Sequence, residues 1–229
     1  MSVIRQFCLT VSALVGLAVT MPLPLRAEED AGAYIAARQA SIMSDFPTAS
    51  GYFSRALLSD PDNERLLENA TLAFLATGDV TSAVPIAERL EGDGKDSQIA
   101  AMTLIARDGA EGAWDNGLAA LDGGLSAGPL IDGLAKAWML VGQGNMTEAL
   151  TAFDAFAAQE GLNSLGLYHK ALALASVGDF EGADKIFSGE AAGPLRATRR
   201  GIVAHAQVLS QLERKADAIA LIDAASGVS

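Results

Sequence analysis

The sequence predicts an all-α fold, a solenoid of about six helix-turn-helix repeats, on three observations. Apolar residues recur at intervals of three and four rather than two, which is typical of amphipathic helices. A short tripeptide recurs along the chain and is followed each time by alanine at the same offset. Half of the 229 residues are hydrophobic and there is one cysteine. The chain can therefore form a core that does not depend on disulfides, and disorder is excluded.

The repeated tripeptide is a glycine, then Asp or Asn, then an apolar residue. It occurs as Gly78-Asp79-Val80, Gly144-Asn145-Met146 and Gly178-Asp179-Phe180, and Ser44-Asp45-Phe46 is a variant. A glycine can end a helix in a left-handed conformation, and the Asp or Asn after it can cap the next helix. One helix then ends and another begins within about three residues, which predicts an antiparallel pair.

Placed in register on these tripeptides, the repeats start near residues 30, 64, 98, 130, 164 and 199. The pattern resembles the tetratricopeptide repeat, a helix-turn-helix unit of about 34 residues, over the whole of residues 28–229. It departs from the family at Ile105, where a small residue is expected, and at Glu213-Arg214, where the glycine-aspartate dipeptide is missing. The family's eighth position is small, and here it holds Ala37, Thr71, Ile105, Ala137, Ala171 and Ala206. The twentieth position is also small, and it holds Ala49, Ala83, Gly117, Ala149, Ala183 and Ala218. The twenty-fourth position is larger, and it holds Phe53, Ala87, Leu121, Phe153, Phe187 and Ile222.

Residues 1–27 are interpreted as a secretory signal peptide. They contain no acidic residue, and a basic start is followed by an apolar run over residues 7–19 and then by two prolines. The small residue Ala27 precedes an acidic cluster at residues 28–30, which predicts cleavage after Ala27. The alternative is an uncleaved membrane anchor, because uncharged residues extend over 7–25, near the length of a bilayer span. The prolines disfavour a continuous span.

The charge and the position of the cysteine indicate a compartment. A net charge of −12 makes the chain a poor electrostatic partner for nucleic acid or an anionic bilayer. The single cysteine, Cys8, lies in the predicted signal peptide, so the exported chain would contain no thiol to oxidise. The sequence therefore predicts a periplasmic protein with no nucleic-acid partner and no direct membrane binding after cleavage.

No catalytic site is predicted, although residues 124–128 match the nucleophile-elbow pattern around Ser126. Asp179 and His205 follow it in the order of α/β hydrolases. That motif requires a strand before the serine and a helix after it. Here the motif falls between the third and fourth repeats, where glycines are expected for turning, so Ser126 is interpreted as a linker residue.

Other motifs that could carry chemistry are also interpreted as structural. His169 and His205 have no second ligand at i+3 or i+4, and a zinc site usually needs three or four ligands. Residues 91–96 lack the ligand spacing of a calcium loop, and residues 142–144 lack the third glycine of a dinucleotide loop. Trp114 occupies an aromatic position of the third repeat and is interpreted as core. The sequence predicts no metal and no cofactor.

The resemblance implies that the first helix of each repeat lines a concave groove, chiefly through its second, fifth, ninth and twelfth positions. The fifth and ninth positions are mostly apolar, while Arg38 and Glu68 make the N-terminal end more polar. The alternative is that the apolar residues are partly buried between neighbouring first helices. The predicted groove residues are Tyr34, Leu72, Met102, Leu134, Trp138, Tyr168 and Leu172, with Trp138 as the strongest candidate anchor.

The function that the resemblance implies is a non-catalytic exported adaptor, which binds a protein or peptide in this groove during envelope assembly or secretion. The alternative is the N-terminal regulatory arm of a larger enzyme or secretion machine. Ile219 and Ile222 in the last predicted helix would have no covering helix if the chain ended at Ser229. We therefore expect either dimerisation through that end or a longer protein, and the longer protein is favoured. The sequence identifies neither the partner nor the oligomeric state.

Overall fold

The computed structural model describes residues 26–92, 94 and 96–226, and the described part is helical without a β-strand. The predicted signal peptide, apart from its last two residues, lies outside the described residues. No helix in the described part combines the length and apolar character that a bilayer span requires. The helices are α1 (Arg26–Ile42), α2 (Phe46–Leu57), α3 (Glu64–Ala76), α4 (Val80–Gly92), α5 (Gln98–Glu111), α6 (Trp114–Asp122), α7 (Pro129–Gly142), α8 (Met146–Ala157), α9 (Asn163–Ser176), α10 (Phe180–Ser188), α11 (Gly193–Arg196), α12 (Arg199–Gln211) and α13 (Lys215–Ser226).

These helices form six pairs, each joined by a short turn. We call α1, α3, α5, α7, α9 and α12 the first helices, and α2, α4, α6, α8, α10 and α13 the second helices. A 3-10 turn at Glu190–Ala192 and the short α11 fill the space between α10 and α12. Each pair packs on the pair before it in the chain. The predicted all-α solenoid of tetratricopeptide-like repeats is confirmed.

At three of the turns within the pairs, the tripeptide has the predicted left-handed glycine. Gly78, Gly144 and Gly178 have φ of 78°, 80° and 88°, a left-handed conformation that glycine adopts without strain. Asp79 and Asp179 accept the backbone N–H groups of the residues three positions later. The Asp45 side chain does the same for α2.

Three positions at these turns depart from the pattern. Asn145 makes no capping hydrogen bond, and its side chain donates instead to Gln143 Oε1 at 2.9 Å. Ser44 and Glu213 take the left-handed conformation without being glycine, with φ of 58° and 60°. The last pair therefore keeps the turn geometry even though Glu213-Arg214 lacks the glycine-aspartate sequence.

Small residues allow the two helices of each pair to approach closely. Ala49, Ala83, Ala149 and Ala183 are completely buried, as expected for a helix crossing. In the third repeat the corresponding residue is Gly117, where an added Cβ would lie 2.5 Å from the Met139 methyl group. Met139 thus occupies the space that an alanine side chain fills in the other pairs.

Trp114 is part of the core, as the sequence predicts. Its half-buried ring packs against the apolar cluster of the second to fourth repeats. A Cβ added at Gly142 would lie 2.5 Å from the Trp114 ring, so the absence of a side chain at Gly142 provides the space that the indole occupies.

The first helices lie on the inner side of the curved array. Neighbouring first helices pack directly, as α3 does on α5, α5 on α7, α7 on α9 and α9 on α12. Within the described chain, neighbouring second helices do not pack on one another to the same extent. The array therefore bends with the first helices on its concave side.

Candidate protein-binding surface on the first helices

The seven predicted groove residues lie on five of the six first helices, and we call the concave side of the array, which these helices form, the groove. Their exposure divides them into two groups. Leu72 on α3 and Met102 on α5 are 50% and 41% exposed. The other five, Tyr34, Leu134, Trp138, Tyr168 and Leu172, are half-buried. Partial burial therefore applies to Tyr34 in the first repeat and to the predicted residues of the fourth and fifth repeats, whereas those of the second and third repeats are exposed.

Trp138 is held by its neighbours rather than fully presented to solvent. Its ring meets Phe153 edge to face, with ring centres 5.7 Å apart. Its indole N–H donates to His169 Nδ1 at 3.1 Å. This acceptor role requires a neutral imidazole. Burial lowers the pKa of His169, and the positive charge of Arg200 lowers it further, so His169 is neutral at neutral pH.

Aromatic rings connect the fourth repeat to the sixth. Beyond Trp138 and His169, the Tyr168 ring contacts both His169 and Phe187 edge to face, with centres 5.4 and 6.4 Å apart. Phe187 in turn stacks on His205 at 5.2 Å. Edge-to-face ring pairs add stability beyond their buried area. The half-buried Trp138 and Tyr168 are therefore held by packed rings behind them and need little ordering when a partner binds.

A cavity opens between α9 and α12, beside this aromatic series. We call it the α9–α12 cavity, and its volume is about 510 Å³. Val203 on its wall is 46% exposed; it occupies the fifth position of the sixth repeat, although it is not one of the seven predicted groove residues. Arg199 and Arg200 stand at its edge in the first turn of α12, and both are exposed. The residues that line it are Tyr168, Leu172, Arg199, Arg200, Val203, Ala204 and Gln207.

The N-terminal end of the groove is polar, as the sequence predicts. Arg38 lies over the Tyr34 ring, 6.0 Å from its centre. Its hydrogen bond to the Tyr34 hydroxyl lowers the pKa of that tyrosine, burial opposes this, and a hydrogen bond from Arg65 adds to the lowering. Glu68 accepts a hydrogen bond from Ser97 Oγ at 2.9 Å. A cavity between α1 and α3 is lined by Tyr34, Ala56, Asp60, Asn63, Glu64, Arg65, Leu66 and Glu68.

Ser126, Asp179 and His205, which follow one another in the order of a hydrolase triad, each have a separate local role. Ser126 lies in the linker between α6 and α7, and its hydroxyl donates to Asp132 Oδ2 at 2.6 Å. Asp179 caps α10. His205 pairs with Asp184 through Nε2 at 2.7 Å. The interpretation of Ser126 as a linker residue agrees with this geometry, since the loop follows a helix rather than a strand.

An ionic cluster around Asp184 joins the last two repeats. His205 of α12 and Arg214 of the following turn bind its two oxygens at 2.7 and 2.6 Å. Burial raises the pKa of Asp184, but hydrogen bonds from His205, Ser188 and Arg214 lower it more, so the net pKa is below its usual value. The stabilisation is therefore present at neutral pH and is lost as the pH falls through this lowered pKa.

Sequence reasoning missed the Asp184 cluster. The available signal was a charged residue, Asp184, directly beside the small helix-crossing residue Ala183. A charge at such a position needs a partner when it is partly buried. The partner could not be identified in advance because it comes from the next repeat, twenty-one residues along the chain.

Comparison with known proteins supports the fold. PilW, a widely conserved type IV pilus biogenesis factor, has a similar structure, with a TM-score of 0.64 over 84% of this chain and 90% of the PilW chain at 16% sequence identity. MamA is a more distant match, with a TM-score of 0.40 over 87% of this chain and 91% of its own at 12% identity. At 16% identity the likeness to PilW shows the fold alone. The chain matches no protein-family model, and no curated protein matches it.

Proposed function

We propose that this protein is a non-catalytic adaptor that binds a protein or peptide partner along its groove. The observation that carries the proposal is the set of exposed apolar side chains on the inner helices: Leu72, Met102 and Val203 come from three different first helices. Exposed apolar side chains that share one concave surface are typical of sites for protein segments. Beside Val203, the packed rings of Tyr168 and Trp138 would provide a preformed contact.

We further propose that the adaptor is exported and acts in envelope assembly or secretion. The acid-free apolar leader supports export. The structural likeness to PilW, a type IV pilus biogenesis factor, favours a role of this class.

If export is correct, the mature chain begins at Glu28. Intact-mass measurement of protein from the periplasmic fraction is expected to give the mass of residues 28–229. Recovery of the full-length mass from membranes would contradict cleavage and favour the alternative of an N-terminal anchor.

Trp138→Ala is expected to weaken partner binding by about thirtyfold. Truncating a hot-spot tryptophan costs about 2 kcal/mol, and about 1.4 kcal/mol corresponds to a tenfold change. Partners are first captured from periplasmic extract with the wild-type protein, and their affinity for each variant is then measured with purified components. Because Trp138 also packs on Phe153, unfolding of each variant is followed by circular dichroism to confirm that it is folded during binding.

Two matched variants test whether the loss of affinity comes from the Trp138 ring itself or from the loss of any apolar side chain. Trp138→Phe keeps a ring against Phe153 but loses the hydrogen bond to His169, so it is expected to retain most of the affinity. Leu58→Ala removes an apolar side chain that is 84% exposed and lies at the end of a second helix, α2, so it should leave the affinity unchanged. The binding proposal fails if folded Trp138→Ala retains every partner at wild-type affinity.

A further inference from the structure

The α9–α12 cavity differs in its charge from the adjacent part of the groove, on α5, α7 and α9. Within the described residues, neither Arg199 nor Arg200 forms an ion pair, although the chain as a whole carries a net charge of −12. The basic side chains of the three preceding first helices, α5, α7 and α9, are engaged within the protein. Arg107 pairs with Glu88 and Asp108, Lys136 pairs with Asp122, and Lys170 pairs with Asp154.

The two arginines lie where a positive charge destabilises a helix. They occupy the first turn of α12, whose backbone already carries a partial positive charge at that end. Helices usually place acidic residues there, so two adjacent arginines reverse the ordinary preference. A residue choice that works against local stability is expected where function requires it.

The walls of the cavity supply the apolar half of a binding site. Tyr168 and Leu172 of α9 face the exposed Val203 of α12 across it. Gln207 adds an amide that can donate to and accept from a peptide backbone. Tyr168 also contacts the His169 ring, and His169 accepts the Trp138 indole N–H, so the cavity adjoins the candidate anchor of the groove.

We propose that the α9–α12 cavity recognises an internal acidic side chain, Asp or Glu, next to an apolar residue in an extended segment of the partner protein. The guanidinium groups of Arg199 and Arg200 bind the carboxylate, for which their planar donors are suited. The apolar neighbour lies against Tyr168, Leu172 and Val203. The inference rests on the proposed function, because it specifies which segments the groove selects.

The charge of the whole chain favours a short acidic segment over a polyanion. Nucleic-acid binding relies on many basic contacts along the phosphate backbone, and the affinity grows with their number. Here two arginines stand in an otherwise acidic chain, which would repel an extended polyanion. A single carboxylate beside an apolar side chain matches both the charge and the size of the site.

The test is selection from a random peptide library displayed with fixed flanking residues, so that every peptide is internal. The wild-type protein is expected to enrich peptides that carry Asp or Glu beside Phe, Leu or another large apolar residue. The double variant Arg199→Gln/Arg200→Gln is expected to enrich apolar peptides without the acidic preference. The selected peptide is then synthesised, labelled with a fluorophore and titrated by fluorescence anisotropy, where the double variant should bind at least about tenfold more weakly.

A matched control removes the same amount of charge elsewhere. Arg55 on α2 and Lys185 on α10 are exposed and lie on second helices, so Arg55→Gln/Lys185→Gln should bind the selected peptide as the wild type does. Equal weakening in both double variants would show a general charge effect and would overturn the proposal. The peptide is also made with an amidated and with a free C-terminus. Binding of the amidated form supports recognition of the side chain, whereas binding of the free acid alone overturns it.

The failure of this inference and that of the proposed function can be distinguished. Enrichment of apolar peptides by the wild type without an acidic preference would overturn the role of the arginines and leave the adaptor function supported. A library in which the folded wild-type protein enriches no sequence would contradict the adaptor function and the arginine site together.

Discussion

Replacing Gly201 by alanine is expected to lower the free energy of unfolding by about 3 kcal/mol, at the upper end of the usual range for overpacking. Gly201 lies in the first turn of α12, and an added Cβ would overlap the carbonyl oxygen of Leu195. It would also lie 2.8 Å from the Leu195 carbonyl carbon and 3.0 Å from Thr198 Oγ1. The backbone has little freedom to move away, because Leu195 O accepts hydrogen bonds from both the amide and the hydroxyl of Thr198.

A glycine with free space around it provides the control. Gly51 lies within α2, and an added Cβ would have no atom within 4 Å. Gly51→Ala is therefore expected to stabilise the protein by up to about 1 kcal/mol, since alanine restricts the unfolded chain and favours the helix. Urea denaturation followed by circular dichroism measures both variants. Similar midpoints for Gly201→Ala and Gly51→Ala would contradict the packing described around α12.

Phe153→Ala is expected to lower the free energy of unfolding by about 3–5 kcal/mol, the usual range for truncating a fully buried phenylalanine. Phe153 has no exposed surface and packs with Ala137 and Ala173, so its ring joins three helices, α7, α8 and α9. Trp138 contacts it edge to face. Its loss would leave a cavity at the point where the fourth repeat meets the fifth, and the same denaturation experiment measures the effect.

Leu130→Ala is the matched control for that variant. Leu130 lies on α7 in the same repeat and is 42% exposed, so its truncation is expected to change stability by no more than about 0.5 kcal/mol. If both truncations had the same small effect, the register that places Phe153 in the core would be wrong.

The helix pairs were predictable because their signals are local. The glycine-aspartate turn at Gly78-Asp79 and the buried small residue Ala83 lie within six residues of one another. Helix termination, capping and close approach all depend on neighbours in the sequence, so the pattern predicts the fold of each pair without reference to the rest of the chain.

The exposure of the groove residues was less predictable because it depends on the angle between repeats. Leu72 and Trp138 occupy the same position in the second and fourth repeats, yet Leu72 is largely exposed while Trp138 is held by His169 and Phe153. Which side chain becomes covered is decided by residues of the following helices. Position within a repeat cannot provide that information.

The arginine pair was missed for a similar reason. Arg200 occupies the second position of the sixth repeat, which the resemblance places in the groove, but in the sequence neither it nor Arg199 differs from an ordinary solvated charge. Only their location at the edge of an apolar cavity, without an internal counter-ion, distinguishes them. Both features depend on the way α12 packs on α9.

The packing of each helix pair on the pair before it in the chain has a consequence for how this protein forms. Helices that touch are close in the sequence, so few loops must close over long distances before stabilising contacts appear. Folding can therefore nucleate in any repeat and spread to its neighbours, and a defect in one repeat divides the array into segments that open separately. The same property allows whole repeats to be gained or lost during evolution, because each repeat contacts only its neighbours. Duplication of a repeat would therefore lengthen the groove and leave the fold of the other repeats unchanged.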